Sequence, residues 1–163
     1  MNAYTEFLAA KTHTTRHEGQ VFTSEDVNPY LHDWQARIVA WAATIQRAAI
    51  WADTGLGKTL MQLEWARLAG GTALIVAPLA VTTQTCMEAR KIGLHISYVR
   101  HHSEITGPGI WVTNYERAHQ FDPCLLHAVV LDEASILKQS DGKTRTRLIR
   151  QFADVPYRLA CTA

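Results

Sequence analysis

From Asp33 onward the apolar positions Trp34, Ile38, Trp41, Ala42, Ile45 and Ala49 recur at steps of three and four, which predicts an amphipathic helix with Asp33 as its N-cap. Six short apolar runs follow, at 48–52, 72–77, 96–99, 110–113, 128–132 and 158–161. They are continuous rather than alternating, as strands buried on both faces are. Helical stretches separate them: 58–68, closed by Gly70-Gly71, then 81–91 and 143–152. Strand alternating with helix predicts an α/β fold, a mainly parallel sheet with helices on both faces. In such sheets ligands bind beyond the carboxyl ends of the strands, where the conspicuous loops of this chain fall. Residues 1–28 show no periodicity and end at Asn28-Pro29, so 1–30 reads as a lead-in and 31–163 as one domain. There is no internal repeat and no low-complexity segment.

At 163 residues, 47% hydrophobic and 19% charged, the chain is long enough to bury a core and far from the composition of disordered segments. No apolar run approaches the roughly 18 residues a membrane span needs, and residues 1–11 lack the features of a secretory signal. No membrane partner and a cytoplasmic location, in a bacterial or phage-infected cell, are the expectations. Cys86, Cys124 and Cys161 are widely spaced and form no CxxC, so they read as reduced packing residues. A net charge of +1 gives no global attraction to nucleic acid, so any such contact must be local.

The chemistry concentrates in two places. ADTGLGKT, at 52–59, follows an apolar run and opens a helix. Asp53, Thr54, Gly55, Leu56 and Gly57 can wrap a phosphate with backbone N–H groups, and the helix N-terminus adds positive partial charge. Lys58 supplies a full charge for the β- and γ-phosphates, and the Thr59 hydroxyl is a hard oxygen suited to Mg²⁺. Ala52 stands where the general pattern has its first Gly, and is small enough to keep the turn. The second place is AVVLDEAS, at 128–135, a buried strand that runs into two acids. Asp132 can hold Mg²⁺ and Glu133 can take a proton from attacking water. ATP and Mg²⁺ are therefore the expected ligands, with Lys58, Asp132 and Glu133 as catalytic residues and Thr59 and Asp132 at the metal.

With these motifs in order, the chain resembles the first RecA-like domain of a superfamily 2 helicase or translocase, of the P-loop NTPase class, over nearly everything after residue 30. LHDWQARIVAWA, at 31–42, resembles the adenine-reading segment, which implies base recognition by Gln35. ADTGLGKTLMQ resembles the Swi/Snf form of the phosphate loop. IVAPLAVTTQ, at 75–84, and VTNYERA, at 112–118, resemble motifs that touch the nucleic-acid backbone, implying contacts from Pro78, Thr82, Thr113, Asn114 and Arg117. LDEASILKQSDGKTRTRLI resembles the acid box and the Lys-containing stretch of Swi/Snf-like and phage helicases. Ser135 departs from the pattern, standing where related families carry Asp or His. Thr162-Ala163 resembles the start of the motif that links ATP state to nucleic-acid binding. The resemblance further implies a second RecA-like domain, absent from these residues, that supplies arginine fingers.

The implied function is ATP-dependent movement on nucleic acid, with DNA favoured over RNA. Two other classes share the phosphate loop: a P-loop NTPase or kinase that does not act on nucleic acid, and a non-catalytic nucleic-acid-binding fragment. Lys138, Lys143, Arg145, Arg147, Arg150 and Arg158 make a basic cluster that reads equally as a solvated face or a phosphate track. Trp34, Trp41, Trp51, Trp65 and Trp111 read mostly as core. His101-His102 has no metal-ligand spacing and reads as an exposed loop pair.

Overall fold

A computed structural model describes residues 19–135 and 142–162, with backbone alone for 142–145. Among the described residues six strands alternate with four α-helices: α1 (Asp33–Ile45), β1 (Arg47–Trp51), α2 (Lys58–Ala69), β2 (Thr72–Ala77), α3 (Leu79–Lys91), β3 (Ile96–Tyr98), β4 (Gly109–Asn114), β5 (Ala128–Leu131), α4 (Gly142–Gln151) and β6 (Tyr157–Thr162). Every strand pair in the sheet is parallel, in the order β1-β6-β5-β2-β4-β3. The predicted strands and helices all form, with ends displaced by one or two residues, except that the first helix stops at Ile45 and Ala49, counted in its period, lies in β1.

Both faces are covered. On one, Val39, Leu63, Trp65 and Ala89 from α1, α2 and α3 pack over Ala73, Ile75, Val112, Val130 and Leu159. On the other, Leu148 of α4 and Phe152 just after it join Tyr115, Ala118 and Phe121 over Leu74, Val76 and Val129. Alternate residues of β2 and β5 thus feed opposite cores, which is why these strands read as unbroken apolar runs.

The predicted phase of α1 is wrong in two respects. Its N-cap is His32 rather than Asp33, and the Gln35 side-chain oxygen accepts the His32 backbone N–H at 2.9 Å. Its buried stripe is Gln35, Ala36, Val39, Ala40, Ala42 and Ala43, leaving Trp34 and Trp41 on the outside. Small residues face inward because α2 packs closely against this side of α1. The core reading of the tryptophans therefore holds for Trp65, fully buried, and half-buried Trp111. It fails for Trp34, Trp41 and Trp51, the last 81% exposed at the sheet edge.

Residues 19–31 pack on the domain, with Phe22, Val27 and Leu31 in its core. The tie is polar as well. Glu64 on α2, with no exposed side-chain surface, accepts the Asn28 N–H at 2.7 Å and is paired with Arg67 at 2.6 Å, while Arg67 also donates to the Asp26 carbonyl at 2.6 Å.

Candidate functional site

β6 lies between β1 and β5, so the loop leaving β1 and the acids leaving β5 stand two strand spacings apart, about 10 Å. That is room for a phosphate chain at the carboxyl edge of the sheet. The loop begins at Ala52, whose N–H donates to the Thr162 carbonyl at 3.1 Å, continuing the β1–β6 ladder by one residue. Gly55 and Gly57 have φ of 84° and 74°, and Gly57 is the left-handed N-cap of α2. Such angles favour glycine, and the loop turns tightly enough for the Leu56 N–H to reach the Asp53 carbonyl at 3.3 Å. The Thr54 N–H donates to the Asp53 carboxylate at 2.7 Å. Lys58 curls back over the loop, donating to the Ala52 and Asp53 carbonyls at 2.7 and 3.1 Å.

Gln35 supports this loop from beneath. Buried on α1, it donates from Nε2 to the Leu56 carbonyl at 2.9 Å. The residue that the sequence pattern marked for base recognition thus also joins α1 to the phosphate loop.

The acids are held by bonds from several elements. The Asp132 N–H donates to the Val76 carbonyl at 2.8 Å, the Ala134 N–H to the Cys161 carbonyl at 2.8 Å, and the Tyr115 hydroxyl to the Asp132 carbonyl at 2.7 Å. The Glu133 carboxylate accepts Thr162 Oγ1 at 3.2 Å and also the Ser135 hydroxyl. Ser135, the departure from the related acid boxes, is therefore a partner of the second acid. Between these anchors Glu133 itself adopts φ 53°.

Burial pushes the Asp132 carboxyl above its ordinary range, and the neighbouring Glu133 charge adds to this; the Gln62 amide, the Glu133 N–H and Lys58 oppose the rise. Gln62 is fully buried beside Asp132, and among the described residues neither its amide nitrogen nor its oxygen has a partner at hydrogen-bond distance. Cys161, fully buried next to Asp132 and Lys58, has its thiol pushed well up by burial and stays neutral. Among the three cysteines only Cys161 is a core residue; Cys86 is half-buried and Cys124 exposed.

A cavity of about 360 Å³ joins the two motifs: Thr54, Gly55, Gly57, Lys58 and Thr59 line one side, Glu133 another, and Gln84 and Glu88 of α3 a third. Lys58 and Glu133 therefore face one space, whereas Asp132 is not among the residues that line it. Gln84 and Glu88 carried no catalytic signature in the sequence; only the packing of α3 beside the loop brings them here.

No family model and no curated protein matches this sequence. Solved structures do. The SWI2/SNF2 ATPase core of Sulfolobus solfataricus in complex with dsDNA superposes with a TM-score of 0.70 at 21% identity, over 88% of this chain and 34% of that one. The fold is the RecA-like α/β fold that this ATPase core shares. The UvsW helicase of bacteriophage T4 matches with a TM-score of 0.66 at 18% identity, over 80% of this chain and 51% of its own. The Hef helicase domain of Pyrococcus furiosus matches with a TM-score of 0.61 at 18%, over 80% and 32%. The chain thus spans a third to a half of the structures it resembles.

The two segments marked for nucleic-acid contact are neighbours in this fold, since Ala77 pairs with Asn114 at the carboxyl ends of β2 and β4. Pro78 is the N-cap of α3. Thr82 and Asn114 are buried and Thr113 fully so, with Thr82 Oγ1 donating to the Leu79 carbonyl at 2.9 Å; Arg117 is half-buried. The groups these segments present outward are Leu79, Ala80, Thr83, Gln84, Glu116 and part of Arg117.

In the basic cluster, Arg147 and Arg150 are exposed on α4, and Arg158 pairs in register with Arg47. Lys138, with the rest of 136–141, and the side chains of Lys143 and Arg145 lie outside the described residues. His101 is exposed, whereas His102 is half-buried against Phe121, its Nδ1 accepting the Asp122 N–H at 3.3 Å. No group of three potential metal-binding side chains occurs among the described residues, and no described helix is long and apolar enough to cross a membrane.

Proposed function

We propose that this chain is the ATP-binding and ATP-hydrolysing domain of a helicase or translocase that moves on nucleic acid, with duplex DNA favoured. The observation that carries the reading is the single cavity shared by Lys58, Thr59 and Glu133. A glycine-built loop at a helix N-terminus and a lysine opposite two carboxylates form a donor set matched to a magnesium triphosphate. When bound, Mg²⁺ would be held by Thr59 and Asp132 and would neutralise charge on the phosphates.

Each residue has its own task. Backbone N–H groups of 55–59 and the end of α2 bind the phosphates, and Lys58 exchanges its loop carbonyls for phosphate oxygens. Thr59 and Asp132 hold the metal side of the substrate. Glu133, with its carboxylate already oriented by Ser135 and Thr162, accepts the proton of the attacking water. Gln35 reads the base while bonded to the loop, coupling base recognition to the position of the phosphates. Nucleic acid crosses the same sheet edge at 77–85 and 113–117, through the backbone of Pro78 and the Thr113–Asn114 region and through Arg117. The Sulfolobus ATPase core, similar in fold, is in complex with dsDNA, which supports the duplex over the single strand. A second RecA-like domain supplies the remaining transition-state contacts. This chain alone therefore binds nucleotide weakly and hydrolyses it slowly, since an arginine finger is worth about 10³- to 10⁵-fold in rate.

Titration with Mg²⁺-ATP and single-turnover hydrolysis, with and without duplex DNA, single-stranded DNA or RNA, test this. Lys58→Ala is expected to lose nucleotide binding, and Glu133→Gln to keep binding while losing hydrolysis. Wild-type binding that survives Lys58→Ala unchanged would sink the reading.

A further inference from the structure

Tyr115 stands outside every role assigned so far. It follows Asn114 at the end of β4, is 8% exposed, and sits in the apolar cluster with Leu74, Val76 and Leu148. β4 and β5 are not adjacent; β2 runs between them. The Tyr115 side chain spans that strand's end to donate its hydroxyl to the Asp132 carbonyl at 2.7 Å. Burial, with Asp132 and Glu133 nearby, keeps the phenol protonated and therefore a donor.

That carbonyl belongs to the peptide unit joining Asp132 to Glu133. Its orientation is set on one side by ψ of residue 132 and on the other by φ of residue 133. Glu133 has φ 53°, a left-handed conformation that is unfavourable for a non-glycine residue and persists only where neighbours enforce it. Rotating the 132–133 peptide would return Glu133 to negative φ and swing its carboxylate out of the cavity. The Tyr115 hydroxyl opposes this rotation at the carbonyl itself, alongside the Ser135 and Thr162 hydroxyls that hold the Glu133 carboxylate, while Asp132 N and Ala134 N pin the backbone on either side.

We propose that Tyr115 is a positioning residue for the base: its hydroxyl holds the Asp132–Glu133 peptide in the orientation that aims the Glu133 carboxylate at the phosphate cavity. The kinetic part rests on the ATPase reading above; the conformational part does not.

Tyr115→Phe removes the hydroxyl and keeps the ring in its cluster. In this chain the variant should melt as a folded protein, bind Mg²⁺-ATP within about twofold of wild type, and hydrolyse it about 10- to 100-fold more slowly, as expected when a catalytic group is displaced by about an ångström. In a Glu133→Gln background the same substitution should cost nothing further, because both changes act on one group. A crystal structure of Tyr115→Phe should show Glu133 at negative φ. Wild-type turnover in Tyr115→Phe, a full additional loss in the Glu133→Gln background, or Glu133 still near φ 53° in the variant would each overturn the proposal. If wild type hydrolyses no ATP, the ATPase reading fails, and the backbone of the variant still decides the role of Tyr115.

Discussion

Gln35 Nε2 donates to the Leu56 carbonyl at 2.9 Å, and a Cβ built on the next residue, Gly57, would lie 2.5 Å from that same nitrogen. Gly57 thus meets two independent demands: φ of 74° and the close approach of a buried amide. Gly57→Ala should cost about 1–2 kcal/mol from backbone strain alone, and more from displacing Gln35. A fall in melting temperature and a loss of nucleotide affinity are expected together. At Gly55, where no atom lies within 4 Å of the added carbon, only the backbone strain remains and the loss should be smaller. Thermal melts of both variants, with and without Mg²⁺-ATP, make the comparison.

Asp132 opposes the folding of the nucleotide-free chain. Its folded pKa lies above the unfolded value of about 3.8, chiefly through burial. The folded state therefore binds the proton more tightly, and the cost of the charge builds as pH rises from the unfolded value through the folded one, then stays constant. Asp132→Asn removes that charge, so the variant should be more stable at neutral pH and catalytically dead. Urea unfolding at pH 7 checks the first part and single-turnover hydrolysis the second. A less stable Asp132→Asn protein would show that the attraction of Lys58 outweighs burial.

The same shift predicts an acid limb in hydrolysis. On the proposed ATPase reading Asp132 works ionised, and it takes up its proton at higher pH than an ordinary aspartate. The value of kcat/KM, which reports the free protein, should fall on acidification at a pH above that of an unperturbed carboxylate. A kcat/KM that is flat down to about pH 4, the ordinary aspartate range, with the protein still folded, would contradict the raised pKa.

Glu64 holds the segment before α1 onto α2. Removing its buried carboxylate leaves the Asn28 N–H and the Arg67 guanidinium without their acceptor. Breaking a buried pair costs about 3–5 kcal/mol, and the part-exposed Arg67 places Glu64→Ala at the lower end, about 3 kcal/mol. Chemical denaturation should report that loss. Limited proteolysis should in addition show faster cleavage between residues 19 and 31, while Glu64→Gln, which retains one acceptor oxygen, recovers part of the protection.

Much of this molecule was legible along the chain. Apolar runs of four to six residues between helical stretches specify strands buried on both faces, and such strands pair in parallel because their crossovers are helices. The loop at 52–59 and the acids at 132–133 carry their chemistry in residue type and local spacing: left-handed glycines, a lysine at a helix start, carboxylates at a strand end. What needed the tertiary structure is whatever depends on which face of an element meets which neighbour. The phase of α1 is one case, because its alanines face α2 while Trp34 and Trp41 face out, and local periodicity cannot weigh close helix packing against side-chain hydrophobicity. The second task of Gln35 and the approach of Gln84 and Glu88 to the cavity are others. The bond from Tyr115 across β2 to Asp132 is the clearest, for it joins residues 17 apart through a strand order that no local pattern encodes.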